Sequence, residues 1–167
     1  MMMKNLMLDY VHYNLWVNTR LVEMFKEADD ELVSHEVTSS FPSIRHTMIH
    51  LWDVETLWLS RLKGVSPTTF PSENFHGDNA EVYNRLLAIS TKFVNFVENQ
   101  PEEFFDKNIT FSILSAQGTF NQKAVDMILH CMNHQTFHRG QIITMARQLG
   151  FTQFPRTDFI IFKREMA

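Results

Sequence analysis

Two sets of histidines are the residues in this chain best suited by type and spacing to do chemistry. His46 and His50 stand four apart, and so do His130, His134 and His138. On an α-helix, side chains four apart share a face. Neutral imidazole is a good ligand for Zn²⁺, Ni²⁺ or Fe²⁺. Two rings from one helix can meet at one ion. At least one further ligand must come from another element, and the other histidine set can supply it.

Helix geometry selects among them. Successive residues turn by about 100° and rise about 1.5 Å, so residues eight apart are about 80° and roughly 12 Å apart. His130, His134 and His138 therefore cannot share one ion through ligand bonds of about 2 Å, but an adjacent pair can. His138 falls within the apolar stripe of its segment, with Cys131, Ile142 and Met145. His134 lies at the edge of that stripe, and His130 lies further round. His134 and His138 are the expected pair. On the earlier segment His50 flanks the stripe near Val54 and Leu57, whereas His46 lies further away beside Asp53, so His50 is the expected third ligand.

Three imidazoles carry no charge and leave a coordination position free for water or substrate, which suits a catalytic centre better than a closed structural one. His130 becomes a neighbour of the site. Gln141, one turn beyond His138, can orient a bound group or make a polar contact of its own. Glu55 sits near the centre of an apolar stripe, and a buried carboxylate needs a partner. It could accept from a ligand imidazole, serve as a general base, or pair with a buried Arg or Tyr. Cys131, the only cysteine, reads as a packed core thiol. His12, His35 and His76 have no partner at helical spacing and read as surface or loop residues.

The elements that must hold these residues are helices. Leu6, Tyr10, Tyr13, Val17, Leu21 and Met24 recur at helical period over residues 5–27. Residues 43–63 form a second helix with Ser43 as N-cap, the stripe Ile44, Met48, Leu51, Trp52, Leu59 and Leu62, and Gly64 as its stop. An irregular loop over 65–77, rich in Pro, Ser and Thr, leads to a third helix at 79–99 with the stripe Val82, Leu86, Ile89, Phe93 and Val97. Ile109, Phe111 and Ile113 alternate with Thr110 and Ser112, which predicts a short β-hairpin over 108–120 turning at 115–118. A fourth helix follows at 122–149, capped by Asn121 and ended by Gly150. The tail from Asp158 to Lys163 is expected to pack as a short strand or turn. Four amphipathic helices in a chain of 167 residues imply an all-α bundle of one domain spanning 1–167.

Composition narrows the function. The net charge is −4 with no basic run, which argues against nucleic acid and against anionic membrane surfaces as partners. A single cysteine allows no internal disulfide, and the first residues lack the pattern of a signal peptide, so the cytoplasm is the expected compartment.

Several segments together resemble the DinB-like family. The segment from His130 through His134, His138, Arg139, Gly140, Gln141 and Ile142 resembles its signature helix. Tyr13-Asn14-Leu15-Trp16, Ser43 to His50 continuing to Glu55 and Trp58, and the ending Asp158 to Phe162 resemble it as well. The resemblance implies an up-down-down-up four-helix bundle, a homodimer, and one divalent ion, Zn or Ni, on His50, His134 and His138. It further implies a small-molecule substrate and a thiol-dependent transferase of the bacillithiol, mycothiol or glutathione type, acting in detoxification or a stress response. A metal-dependent hydrolase and a non-enzymatic metal-binding dimer are the alternatives.

Overall fold

The computed structural model describes residues 2–114 and 116–166. Long helices form where the apolar stripes recur: α1 (Met2–Lys26), α3 (Ile44–Leu62), α4 (Asn79–Glu98) and α5 (Ala124–Gln148). Between α1 and α3 lies a one-turn helix, α2 (Asp30–Ser34), capped by the Asp29 carboxylate on Glu31 N. A 3-10 turn (Glu102–Asp106) and the antiparallel strands β1 (Asn108–Ile113) and β2 (Ala116–Lys123) join α4 to α5, and α6 (Phe159–Glu165) closes the chain.

The packed long-helix pairs are α1 with α4 and α5, and α3 with α4 and α5. The order round the bundle is therefore α1, α4, α3, α5, and consecutive helices α1 and α3 stand on a diagonal. Side-chain contacts give the directions. Asn18 meets Ser90 and His12 meets Glu98, so α1 and α4 are antiparallel. Arg45 bonds Asn79 and Ser90 bonds Glu55, so α3 and α4 run parallel. His50 meets His134 and Trp58 meets His130, so α3 and α5 are antiparallel. The result is the up-down-down-up bundle. Parallel α3 and α4 force the connection 63–78 to travel back along the molecule. Asp53 secures it by accepting from Ser72 N at 2.9 Å and from the Ser72 hydroxyl.

Helix ends follow their residue types. Ser43 Oγ accepts from His46 N at 3.2 Å and starts α3. Gly64, at φ 80°, ends it: Gly64 N donates to Arg61 O and Val65 N to Ser60 O, a pair of bonds that requires the left-handed conformation glycine adopts without strain. Replacing Ser43 with Ala is expected to lower stability by about 1 kcal/mol. Urea denaturation checks this, and an unchanged midpoint would contradict it.

Several local expectations are corrected. Helix α5 begins at Ala124, because β2 runs on to Lys123, where Lys123 pairs with Asn108. Asn121 is a strand residue that donates to Thr110 Oγ1 across the hairpin, and it caps no helix. Of the expected hairpin turn, Ser115 lies outside the described residues, and Ala116 to Gly118 already belong to β2. The tail is helical, not a strand. On α1 the buried face is Met7, Val11, Asn14, Val17, Asn18, Leu21, Val22 and Phe25. Leu6 is exposed, and Tyr10 and Tyr13 lie at the edge of the core, Tyr10 stacked on Phe159 of α6 and Tyr13 edge to face with it. Two buried asparagines had displaced the apparent stripe.

Candidate metal centre

His50 on α3 and His134 and His138 on α5 point at one another. His134 Nε2 lies 3.2 Å from His50 Nε2 and 3.1 Å from His138 Nε2. One nitrogen from each of the three rings falls within 4.8 Å of the others, so the group could hold a metal ion. Bonds of about 2.0–2.1 Å at a tetrahedral angle place ligand nitrogens about 3.3–3.4 Å apart, close to the two short separations seen.

The donor chemistry fits a cation. Burial, with help from His138, pushes the His50 pKa down to about 4. Burial and then the rings of His138, His50 and His130 push His134 down to about 3. Burial also lowers His138. All three imidazoles are therefore neutral near pH 7, and each keeps one ring nitrogen able to bind a cation.

The tautomer of His138 follows from its surroundings. Gln141 Oε1 is 2.7 Å from His138 Nδ1 and accepts its proton, while Gln141 Nε2 donates to Ser40 Oγ at 2.6 Å. With the proton on Nδ1, Nε2 is free to bind. His134 Nδ1 is buried without a hydrogen-bond partner among the described residues, so its ring is held by packing. Replacing Gln141 with Ala is expected to weaken metal affinity roughly 10- to 100-fold, the usual effect of losing such an orienting partner. A competition titration against a chromophoric chelator measures it, and equal affinity would contradict the assignment.

Aromatic rings surround the triad. Phe41, in the segment before α3, stacks on His50 at a centroid separation of 4.3 Å and meets the edge of His138 at 5.5 Å. Phe137 is 62% exposed and lies 5.0 Å from His138. His130 is exposed, 6.3 Å from His134, and packed on Trp58 at 4.8 Å. Burial, together with Arg61, lowers its pKa. His46 turns away and bonds the Ser43 hydroxyl through Nδ1.

Glu55 makes its hydrogen bonds elsewhere. Its carboxylate, 0% exposed, accepts from Asn14 Nδ2 at 2.8 Å, Asn18 Nδ2 at 3.2 Å and Ser90 Oγ at 2.9 Å. The same two asparagines turn their oxygens to Arg139, which bonds Asn14 Oδ1 and reaches Asn18 Oδ1 at 3.3 Å. Arg139 Nη2 also donates to Thr136 Oγ1 at 3.0 Å. Asn14 and Asn18 thus relay between a buried anion and a buried cation, joining all four long helices at the centre of the bundle. Cys131, 0% exposed, is a core thiol whose pKa burial pushes well up. Sequence reasoning gave Asn14, Asn18, Ser90 and Arg139 no role in the core. Asn14 and Asn18 stand four apart beside Val17 and Leu21, and that polar pair on an apolar face is the signal that could have found them.

A family model described as the DinB family matches residues 1–165. Protein DinB of Bacillus subtilis (strain 168) is 27% identical over 157 residues, covering 90% of this chain and 89% of that protein. Among solved structures, a DinB-like protein from Bacillus subtilis is 17% identical with a TM-score of 0.67, covering 89% of this chain and 97% of that one. YfiT from Bacillus subtilis is 13% identical with a TM-score of 0.66, covering 86% and 87%, and is described as a probable metal-dependent hydrolase with an unusual four-helix bundle topology.

Proposed function

The chain belongs to the DinB family, and from that premise we propose that it is a metal-dependent hydrolase whose divalent ion, zinc or nickel, is held by His50, His134 and His138. The observation that carries this reading is the convergence of three uncharged ring nitrogens from two helices. The description of YfiT as a probable metal-dependent hydrolase supports the same chemistry.

A divalent cation bound to such a set supplies Lewis acidity, polarising a substrate carbonyl and making water a nucleophile near neutral pH. The chain's own residues do the remainder. The three histidines add no negative charge, so the full charge of the ion remains available. Gln141 keeps the His138 proton on Nδ1. Phe41 packs on one face of His50 and meets the edge of His138. His130, with its ring centroid 6.3 Å from that of His134, is the candidate general base of this reading.

Transfer of a glutathione- or bacillithiol-type thiol would use the same centre, and the family resemblance suggests it. The groups seen against the three rings are Phe41, Phe137, His130 and Gln141.

Untagged protein loaded with zinc or nickel, assayed on esters, amides and epoxides with and without thiol, separates the two readings. The expected result is hydrolysis that needs the metal, needs no thiol and is lost in His138→Ala. Turnover only with thiol would replace hydrolysis by transfer. Equal rates for the variant and the wild type would overturn both.

A further inference from the structure

Between the hairpin and helices α3 and α5 lies a cavity of about 470 Å³, within the range of small-molecule sites. Trp58, Phe111 and Phe120 form its aromatic walls, Met127 lines it from α5, and Asp126 and His130 stand at its polar side. Trp58 meets Phe111 edge to face at 5.4 Å, and Phe120 stacks on Phe111 at 6.0 Å. Arg61 holds this wall in place: its guanidinium lies 4.8 Å from the Trp58 ring and its Nε donates to Ser112 O at 3.1 Å. That arginine is only 4% exposed and is no lining residue of the cavity.

The cavity neighbours the candidate metal centre: His130 lines it and stands between it and the triad. The ring of His130 packs on Trp58 on one side and on His134 on the other, at 4.8 and 6.3 Å. Along α5 the interval from His134 back to His130 and Met127 is roughly 6 to 10 Å at 1.5 Å per residue. A group reacting at the triad would therefore reach the aromatic walls only through an extended arm. Among the described lining residues Asp126 carries the only formal charge, and it disfavours a negative arm.

Resting on the hydrolase reading above, we propose that this cavity binds the aryl-bearing, non-anionic acyl arm of the substrate, whose carbonyl lies at the histidine triad. The arm stacks between Trp58 and Phe120 and covers Met127, while the hairpin sets the depth of the site. Arms that stop at an acetyl group gain none of these contacts.

The test compares zinc-loaded wild type with Phe120→Ala and Asp126→Lys on three 4-nitrophenyl esters: acetate, 4-phenylbutanoate and hemisuccinate. Binding of unreactive 4-phenylbutanamide is followed in parallel by tryptophan fluorescence, with Trp58→Phe identifying the reporter. The expected kcat/KM for phenylbutanoate exceeds that for acetate by about tenfold or more. That ratio falls several-fold in Phe120→Ala, and Asp126→Lys shifts preference toward the succinyl ester. The amide quenches saturably in wild type and more weakly in Phe120→Ala. Metal-dependent cleavage with a ratio that Phe120→Ala does not move would overturn the arm site and leave the hydrolase reading standing. If none of the three esters is cleaved, an acyl arm with its carbonyl at the triad is excluded, amides and epoxides still test the hydrolase reading, and the amide ligand decides the cavity: saturable, Phe120-dependent binding retains the aryl site, and its absence removes it.

Discussion

His134→Ala is expected to weaken metal binding by roughly a thousandfold while leaving the bundle folded. His134 Nε2 is the shared member of both short nitrogen pairs, at 3.2 Å to His50 and 3.1 Å to His138. Removing it separates the remaining two donors onto different helices. Binding free energies at histidine- and cysteine-based zinc sites are on the order of 10 kcal/mol, and a third of that is about 3–4 kcal/mol, or two to three powers of ten in Kd. The ring's Nδ1 has no hydrogen-bond partner among the described residues, so the metal-free fold loses only the Nε2 contacts with His50 and His138. Two measurements check this. Calorimetric titration gives the affinity. Thermal denaturation gives the stabilisation by metal, which for wild type at a thousandfold excess over Kd is about 4 kcal/mol and for the variant is largely lost. Equal metal-induced shifts in the two proteins would contradict the role of His134.

The second large effect lies in the polar centre of the bundle. Arg139→Met is expected to cost about 3–5 kcal/mol at about pH 8, where Glu55 is ionised, because it leaves that carboxylate buried without its cation. It also strands the oxygens of Asn14 and Asn18, which now accept from Arg139. Arg139→Lys should recover little, since an ammonium cannot present the guanidinium fork that serves Asn14 and Thr136 together. The double variant Arg139→Met with Glu55→Gln should be less damaged than Arg139→Met alone, because the unpaired charge is gone. Urea unfolding of the four proteins gives the coupling. Strict additivity would show that the two charges do not interact.

The same centre makes stability depend on pH. Burial raises the Glu55 pKa from 4.5 to about 7, against the pull of Asn14, Ser90, Arg139 and Asn18 in the other direction. A carboxyl that binds its proton more tightly when folded contributes stability that is full below its unfolded pKa and is lost as pH rises through the folded one. Glu55→Gln carries no such ionisation. Measured with chelator present, wild type should therefore lose ground relative to Glu55→Gln between about pH 5 and about pH 8. A constant difference across that range would contradict the buried carboxyl.

Much of this arrangement is legible in the chain because helical period controls both packing and chemistry. The stripe of α3 and that of α4 are buried as the spacing predicts, since each consists of apolar residues that can only be satisfied against another helix. The rotation of 100° per residue brings His134 and His138 together and leaves His130 beside them. Alternation marks β1, and the left-handed turns at Gly64 and Gly150 end α3 and α5. What escaped notice was set by contacts distant in sequence. Asn14 and Asn18 weaken the apolar signal of α1, and only the structure shows that Arg139 and Glu55 satisfy them. α6 is a helix because Phe159 and Phe162 pack on Tyr13 and Trp16, which no local pattern reveals. The diagonal placement of α1 and α3 is likewise a property of the assembled bundle, and the resemblance to a family was the guide to it. Phe41 sits on His50 because a loop returns over the site, and loops carry no period from which to infer that contact.

Zinc K-edge X-ray absorption on untagged, zinc-loaded protein tests the metal centre most directly. One zinc per chain is expected, with three imidazole nitrogens at about 2.0–2.1 Å and an exchangeable oxygen donor completing the set, and one imidazole fewer in His134→Ala. A sulfur scatterer at about 2.3 Å, which only Cys131 or a methionine could supply, or a spectrum identical in wild type and His134→Ala, would contradict it.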